Sequence, residues 1–199
     1  SKAFGIFANS GIKKELNSIL KVEDKYGNIL EEFNDPNFIA DVKQPLTYPS
    51  SLLINGEKVL SSETSFIISH ILLDNNARNQ MFSASSFLNI AGRAVSVKTG
   101  TTDDKKDNWT IGFTPNFLTV VWVGNNDNTP MHPYLTSGVT GAAPIWNKIM
   151  TEVTRHQPDL WPKQPPDIIG SQICIISGKA TPNSDPNASN RGCATRYEY

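Results

Sequence analysis

Ala94-Val95-Ser96-Val97-Lys98-Thr99-Gly100-Thr101 alternates in the manner of a β-strand, and two more strand-like runs follow it closely. Val95, Val97 and Thr99 fall on one face. Ser96, Lys98 and Gly100 fall on the other, which is nearly bare apart from the lysine. Asn108 to Phe113 and Phe117 to Gly124 supply the next two strands, and Thr114-Pro115-Asn116 between them is short enough to make an antiparallel hairpin. The last strand is apolar on both faces through Phe117, Leu118, Val120, Val121, Trp122 and Val123. That pattern predicts helices on both sides of the sheet.

Working outward, candidate helices lie on either side of these strands. Before them, Ser61 and Ser62 can cap a helix with Glu63 in its first turn and an apolar stripe of Phe66, Ile67, Ile68, Ile71 and Leu72; the spacing predicts one helix over Ser62 to Met81. After them, Ile145, Trp146, Ile149, Met150 and Val153 recur at helical spacing up to about His156, with Pro144 tolerated near the first turn. The chain opens in helix-like sequence that stops at Asn9-Ser10-Gly11, and Leu16 to Phe33 reads as a hairpin turning at Tyr26-Gly27-Asn28. Pro36, Pro45 and Pro49 make the next stretch a surface excursion. From Gln157 the closely spaced Pro158, Pro162, Pro165 and Pro166 mark a linker, followed by a strand-like Ile173 to Ile176 and a polar loop between the two cysteines. The expectation is an α/β domain of the α+β type over residues 1–156, with an antiparallel sheet flanked by helices, and a Pro-linked appendage over 157–199.

Composition narrows the function classes. With 199 residues, 38% of them hydrophobic, the chain is long enough to bury a core and is neither disordered nor fibrous. The formal net charge of -1 and the lack of any extended Lys/Arg cluster argue against nucleic-acid binding. The longest apolar run, around Val120 to Val123, is strand-sized, so no direct membrane insertion of this segment is expected. An opening at Ser1 without an initiator methionine suggests a fragment of something longer.

Lys98-Thr99-Gly100-Thr101 is the sharpest chemical signal. The ammonium supplies charge, the two hydroxyls supply donors, and the glycine lets a ligand backbone lie against the strand as a peptide adds to a sheet edge; the set suits a carboxylate. As an isolated tetrapeptide it reads more readily as a strand that ends in a Thr/Gly turn. Its surroundings add to it: Lys-Thr-Gly-Thr-Thr runs into Asp103-Asp104-Lys105-Lys106-Asp107, then Trp109, Gly112, Thr114-Pro115 and Trp122-Val123-Gly124. This series resembles the transpeptidase domain of penicillin-binding proteins, whose third signature is Lys-Thr-Gly. Upstream, Ala3 to Gly11, Val22-Glu23-Asp24 and Gly27-Asn28-Ile29-Leu30 are similar to the segment before the active-site strand of the bifunctional class A members. Downstream, Gly141-Ala142-Ala143-Pro144-Ile145-Trp146 resembles their last long helix. The resemblance covers about Ser1 to His156.

The resemblance implies a serine acyltransferase that cross-links peptidoglycan: a serine attacks a D-Ala-D-Ala stem peptide, and an amine of a neighbouring stem resolves the acyl-enzyme. It also implies β-lactam binding, no cofactor, an extracytoplasmic site and a parent anchored in the membrane by an upstream helix. Carried to this sequence, Lys98 acts in electrostatics and proton traffic, Thr99, Gly100 and Thr101 bind substrate, and the Thr101 N–H is an oxyanion donor. Trp109 is either core or part of the cleft wall. The family's other signatures are missing from their places. Ser10-Gly11-Ile12-Lys13 and Ser18-Ile19-Leu20-Lys21 match Ser-x-x-Lys in letters, but neither starts an apolar helix, and Ser-x-Asn does not occur. The chain thus reads as the C-terminal part of a transpeptidase domain whose partner is the upstream part of the same protein, and it is expected to be inactive alone. A β-lactamase or D,D-carboxypeptidase, and a non-catalytic β-lactam-sensing or wall-binding module, are the alternatives.

Cys174 and Cys193 are expected to form a disulfide, which the implied compartment permits; two reduced thiols or half of a metal site are the other readings. His70, His132 and His156 are scattered and take no catalytic role. The charges around Lys105 and Lys106 read as a solvated turn, and no metal is expected.

Overall fold

The computed structural model describes residues 1–33, 56–83, 85–135, 137–174 and 193–198. Helix α1 (Lys2–Ala8) leads into β1 (Ile12–Lys13), which pairs with β4 (Glu57–Lys58). Between them β2 (Lys21–Glu23) and β3 (Ile29–Glu32) form the expected hairpin, closed by Asp24, whose carboxylate accepts from the Tyr26 and Asn28 N–H groups at 2.8 and 2.9 Å. The excursion through Pro36, Pro45 and Pro49 lies outside the described residues, as does the loop between the two cysteines.

The helix expected over Ser62 to Met81 is two helices, α2 (Ser62–Leu73) and α3 (Asn75–Phe82). Ser61 caps the first as expected, its Oγ accepting from the Thr64 N–H at 3.1 Å, and Glu63 stands in the first turn. The break falls at Asp74, which leaves the helical region (φ -69°, ψ 93°) and accepts from the Ala77 N–H at 3.1 Å. An aspartate offers the backbone a local partner that competes with helix continuation, and apolar periodicity alone does not register that competition.

The strands β5 (Ser96–Thr101), β6 (Asp107–Phe113) and β7 (Leu118–Gly124) form one antiparallel sheet in that order. Ser96 opposes Phe113, Lys98 opposes Ile111, Gly100 opposes Trp109, and Trp109 in turn opposes Trp122. With side chains alternating, one face carries Lys98, Gly100, Trp109, Ile111 and Trp122, and the other carries Val97, Thr99, Thr101, Asn108, Thr110 and Gly112.

Helix α4 (Ala142–Thr154) covers the second face, burying Trp146 and Met150 completely among Val95, Val97 and Val121. Among the described residues, elements cover the first face at one end only. There Phe4 of α1 meets Phe113 edge-on at 6.4 Å, and the Ser96 hydroxyl donates to the Ser69 carbonyl of α2 at 2.7 Å. Further along, Trp109 and Trp122 remain 39% and 40% exposed, so β7 is not enclosed on both sides over its whole length as its sequence suggests.

After α4 the Pro-rich chain runs back along the domain. Arg93 donates to the Gln157 and Arg155 carbonyls, Asp159 accepts from the Ala94 N–H at 2.7 Å, and Ile168 is buried. The strands β8 (Ile169–Cys174) and β9 (Cys193–Glu198) then pair antiparallel. Among the described residues no helix is long and apolar enough to cross a membrane. The whole is a mixed α/β structure with small antiparallel sheets.

Candidate functional site

β5 is an edge strand, and its hydrogen-bond phase decides what that edge offers. The Thr102 N–H donates to the Asp107 carbonyl at 3.1 Å. In an antiparallel ladder, residues that bond to the neighbouring strand alternate with residues whose N–H and C=O point away from it. Counting back from Thr102, Gly100 and Lys98 bond to β6, while Thr101, Thr99 and Val97 turn their backbone groups to the outer edge. No described strand pairs with that edge.

Lys98 is exposed, and its Nζ donates to the Thr99 carbonyl at 2.5 Å, which brings the ammonium to the same edge. Strict alternation sets the Lys98 side chain on the face opposite Thr99 and Thr101, yet the edge reunites them. Ammonium, outward Thr101 N–H and Thr101 hydroxyl can all be reached by an extended ligand lying along β5. Gly100 faces Trp109, where a β-carbon would stand 3.8 Å from the Trp109 Cβ, so the bare strip beside Lys98 continues across the glycine. The indoles of Trp109 and Trp122 lie 6.4 Å apart at 53° on that strip.

On the opposite face Thr101 has a partner from far along the chain. Its Oγ1 accepts from the Gly138 N–H at 3.2 Å, and the Gly138 carbonyl accepts from the Thr110 hydroxyl at 3.1 Å. A β-carbon at position 138 would stand 3.0 Å from both the Thr99 Cβ and the Trp109 carbonyl, tighter than ordinary contact, so a larger residue there would need the loop or the strand to give. The same loop is held by Asn108, wholly buried, whose Oδ1 accepts from the Ala142 N–H at 2.9 Å, and by the Met131 N–H, which donates to the Lys105 carbonyl at 3.0 Å. Sequence reasoning missed Asn108, Thr110 and Gly138. The available signal was a pair of polar residues on the face of β6 that packs against an apolar helix, since buried polar groups call for partners.

The other candidates fall elsewhere. Ser10 sits in the turn after α1 with φ +54°, and Ser18 lies between β1 and β2; neither begins a helix. Burial beside Phe66 and Trp161 pushes the His70 imidazole below its ordinary value. His132 stacks on Tyr134 in the loop before Gly138. Asp103 and Asp104 are exposed in the turn after β5, as their charge pattern suggests. The register of β8 and β9 sets Cys174 and Cys193 opposite one another.

Among the described residues, β5 thus leaves one edge unpaired beside a helix-covered antiparallel sheet. No family model matches the chain. It is 32% identical over 167 residues to penicillin-binding protein 1A of Aquifex aeolicus, covering 84% of this chain and 20% of that protein. To penicillin-binding protein 1A of Clostridium botulinum it is 30% identical over 179 residues, 90% of this chain and 19% of that protein. The crystal structure of penicillin-binding protein 1A from Haemophilus influenzae superposes with a TM-score of 0.70 at 25% identity, over 98% of this chain and 30% of that one. PonA1 of Mycobacterium tuberculosis shares the fold, with a TM-score of 0.56 at 21% identity. The chain is therefore homologous to part of class A penicillin-binding protein 1A and spans about a fifth of the length of the curated relatives it matches.

Proposed function

We propose that the chain forms the C-terminal part of a D,D-transpeptidase domain and that the outer edge of β5 is its ligand-binding strand. The observation that carries this reading is the convergence, on one edge that no described strand pairs with, of the Lys98 ammonium, the outward Thr101 N–H and the Thr101 hydroxyl. A stem peptide ending in D-Ala-D-Ala adds to β5 as an extra strand. Its terminal carboxylate meets the Thr99 and Thr101 hydroxyls, and Trp109 walls one side. A serine Oγ from the rest of the protein attacks the penultimate carbonyl while the Thr101 N–H stabilises the developing oxyanion. The C–N bond breaks, D-alanine leaves with the proton passed through groups that include Lys98, and an amine of a second stem then displaces the serine. β-Lactams enter the same edge and acylate the same serine. The working place of such a domain is the cell wall, outside the cytoplasmic membrane.

The nucleophile belongs to the part of the relatives' length that this chain does not span, because neither Ser10 nor Ser18 begins a helix and Ser-x-Asn is absent. Intact mass spectrometry after incubation with labelled penicillin tests the reading on two polypeptides. A penicilloyl adduct on the full-length protein and none on the 199-residue chain is the expected result. An adduct on the short chain, or none on the long one, would overturn it.

A further inference from the structure

Gly138, ahead of α4, touches the ligand edge through a hydrogen bond, and that bond fixes a direction. A threonine hydroxyl has one hydrogen to donate and two lone pairs to accept with. The Gly138 N–H occupies a lone pair of Thr101 Oγ1 from the α4 side of the sheet. Thr101 is exposed, and its hydroxyl has no other partner among the described residues, so its hydrogen remains for a group arriving along the edge. Gly138 is itself held. Its carbonyl accepts from the fully buried Thr110 hydroxyl at 3.1 Å and from the Ala143 N–H of α4 at 2.9 Å, and Asn108 of β6 holds that helix start by accepting from the Ala142 N–H at 2.9 Å. Thr110 opposes Thr99 and Asn108 opposes Thr101, so each buried side chain stands beside a residue of the ligand strand.

We propose that Thr110 and Asn108, acting through Gly138, are positioning residues that hold the Thr101 hydroxyl as a donor to an incoming carboxylate. This deepens the proposed function and rests on it. The argument is one of satisfied partners. The Thr110 hydroxyl is sealed from solvent and its recorded bond goes to the Gly138 carbonyl, so Gly138 is held where its N–H meets Thr101. If the loop relaxes, the hydroxyl of Thr101 turns back to satisfy itself elsewhere, and the carboxylate loses a directed donor.

The test uses the full-length protein that contains this chain, with benzylpenicillin and its methyl ester as probes that differ only in the carboxylate. The readout is the ratio of their acylation efficiencies. Thr110→Val keeps the side-chain shape and removes the donor; Thr110→Ser keeps the donor. Thr110→Val should lower acylation by the acid about tenfold with little change for the ester, Thr110→Ser should restore the ratio, and Thr101→Val combined with Thr110→Val should lose no more than Thr101→Val alone. Gly138→Ala, which crowds the Thr99 Cβ and the Trp109 carbonyl at 3.0 Å, should lower the ratio in the same direction. Acid and ester falling together would assign Thr110 a purely structural role and overturn the inference while leaving the functional reading in place. No adduct on the unsubstituted full-length protein would overturn both.

Discussion

Gly112 of β6 lies directly beneath the indole of Trp146 in α4, so close that a β-carbon there would stand 2.7 Å from Cε2 and 2.9 Å from Nε1. Trp146 is the largest wholly buried side chain of the core, and the missing side chain at position 112 is what lets α4 settle on the sheet at this depth. Because α4 begins at the turn that Asn108 and Gly138 hold, its seating also bears on the edge of β5.

Gly112→Ala should therefore lift α4 from the sheet. We expect a loss of about 2 to 3 kcal/mol, read as a lower urea midpoint at unchanged slope. A midpoint equal to that of the unsubstituted chain would show that the indole moves aside without cost.

His70 predicts an acid sensitivity. Its pKa is lowered in the folded chain, first by burial against Phe66 and Trp161, with Asp74 opposing the shift. The unfolded chain then binds a proton at higher pH than the folded one. The contribution to stability is full above the ordinary imidazole value of 6.5 and is lost as pH falls from there through the lower folded value. Urea titrations at about pH 7.5 and about pH 5 should show a decline in stability that His70→Gln makes smaller. An identical decline in both proteins would remove His70 from the account.

Lys98→Met separates chemistry from folding. The side chain is exposed and its recorded bond is to the Thr99 carbonyl, so thermal unfolding should change by less than about 0.5 kcal/mol. Under the proposed function, acylation of the full-length protein by penicillin should fall about a hundredfold. A large loss of stability with acylation unchanged would mean that the lysine belongs to the fold.

The cysteines give a prediction that needs only mass measurement. Opposed α-carbons in an antiparallel pair lie at separations that a disulfide spans, and Cys174 and Cys193 are opposed in β8 and β9. Protein folded under oxidising conditions should take up iodoacetamide at these positions only after reduction. Reduction should then cost about 3 kcal/mol for a loop of this length in the chain-entropy account. Alkylation without reductant would leave them as two thiols.

What is local in this protein was legible in its residues. Alternation over Val95 to Thr101 set the face of every side chain in β5, Ser61 marked the start of α2, and the spacing of Ile145, Trp146, Ile149 and Met150 marked α4, because each depends on neighbours a few residues away. Local signals misled where apolar periodicity ran through Asp74 and the backbone found a partner in that side chain instead, and where the doubly apolar β7 suggested cover along its whole length. The candidate site was legible as a list, Lys98 to Thr101, but not as an arrangement. Alternation parted Lys98 from Thr101, and only the pairing of β5 with β6 decided which backbone groups turn outward and bring them together on one edge. The grip of Gly138 on Thr101 joins residues 37 positions apart. No local propensity encodes such a contact; it exists because the packing of α4 on the sheet buries Asn108 and Thr110, and buried polar groups require partners wherever the chain brings them.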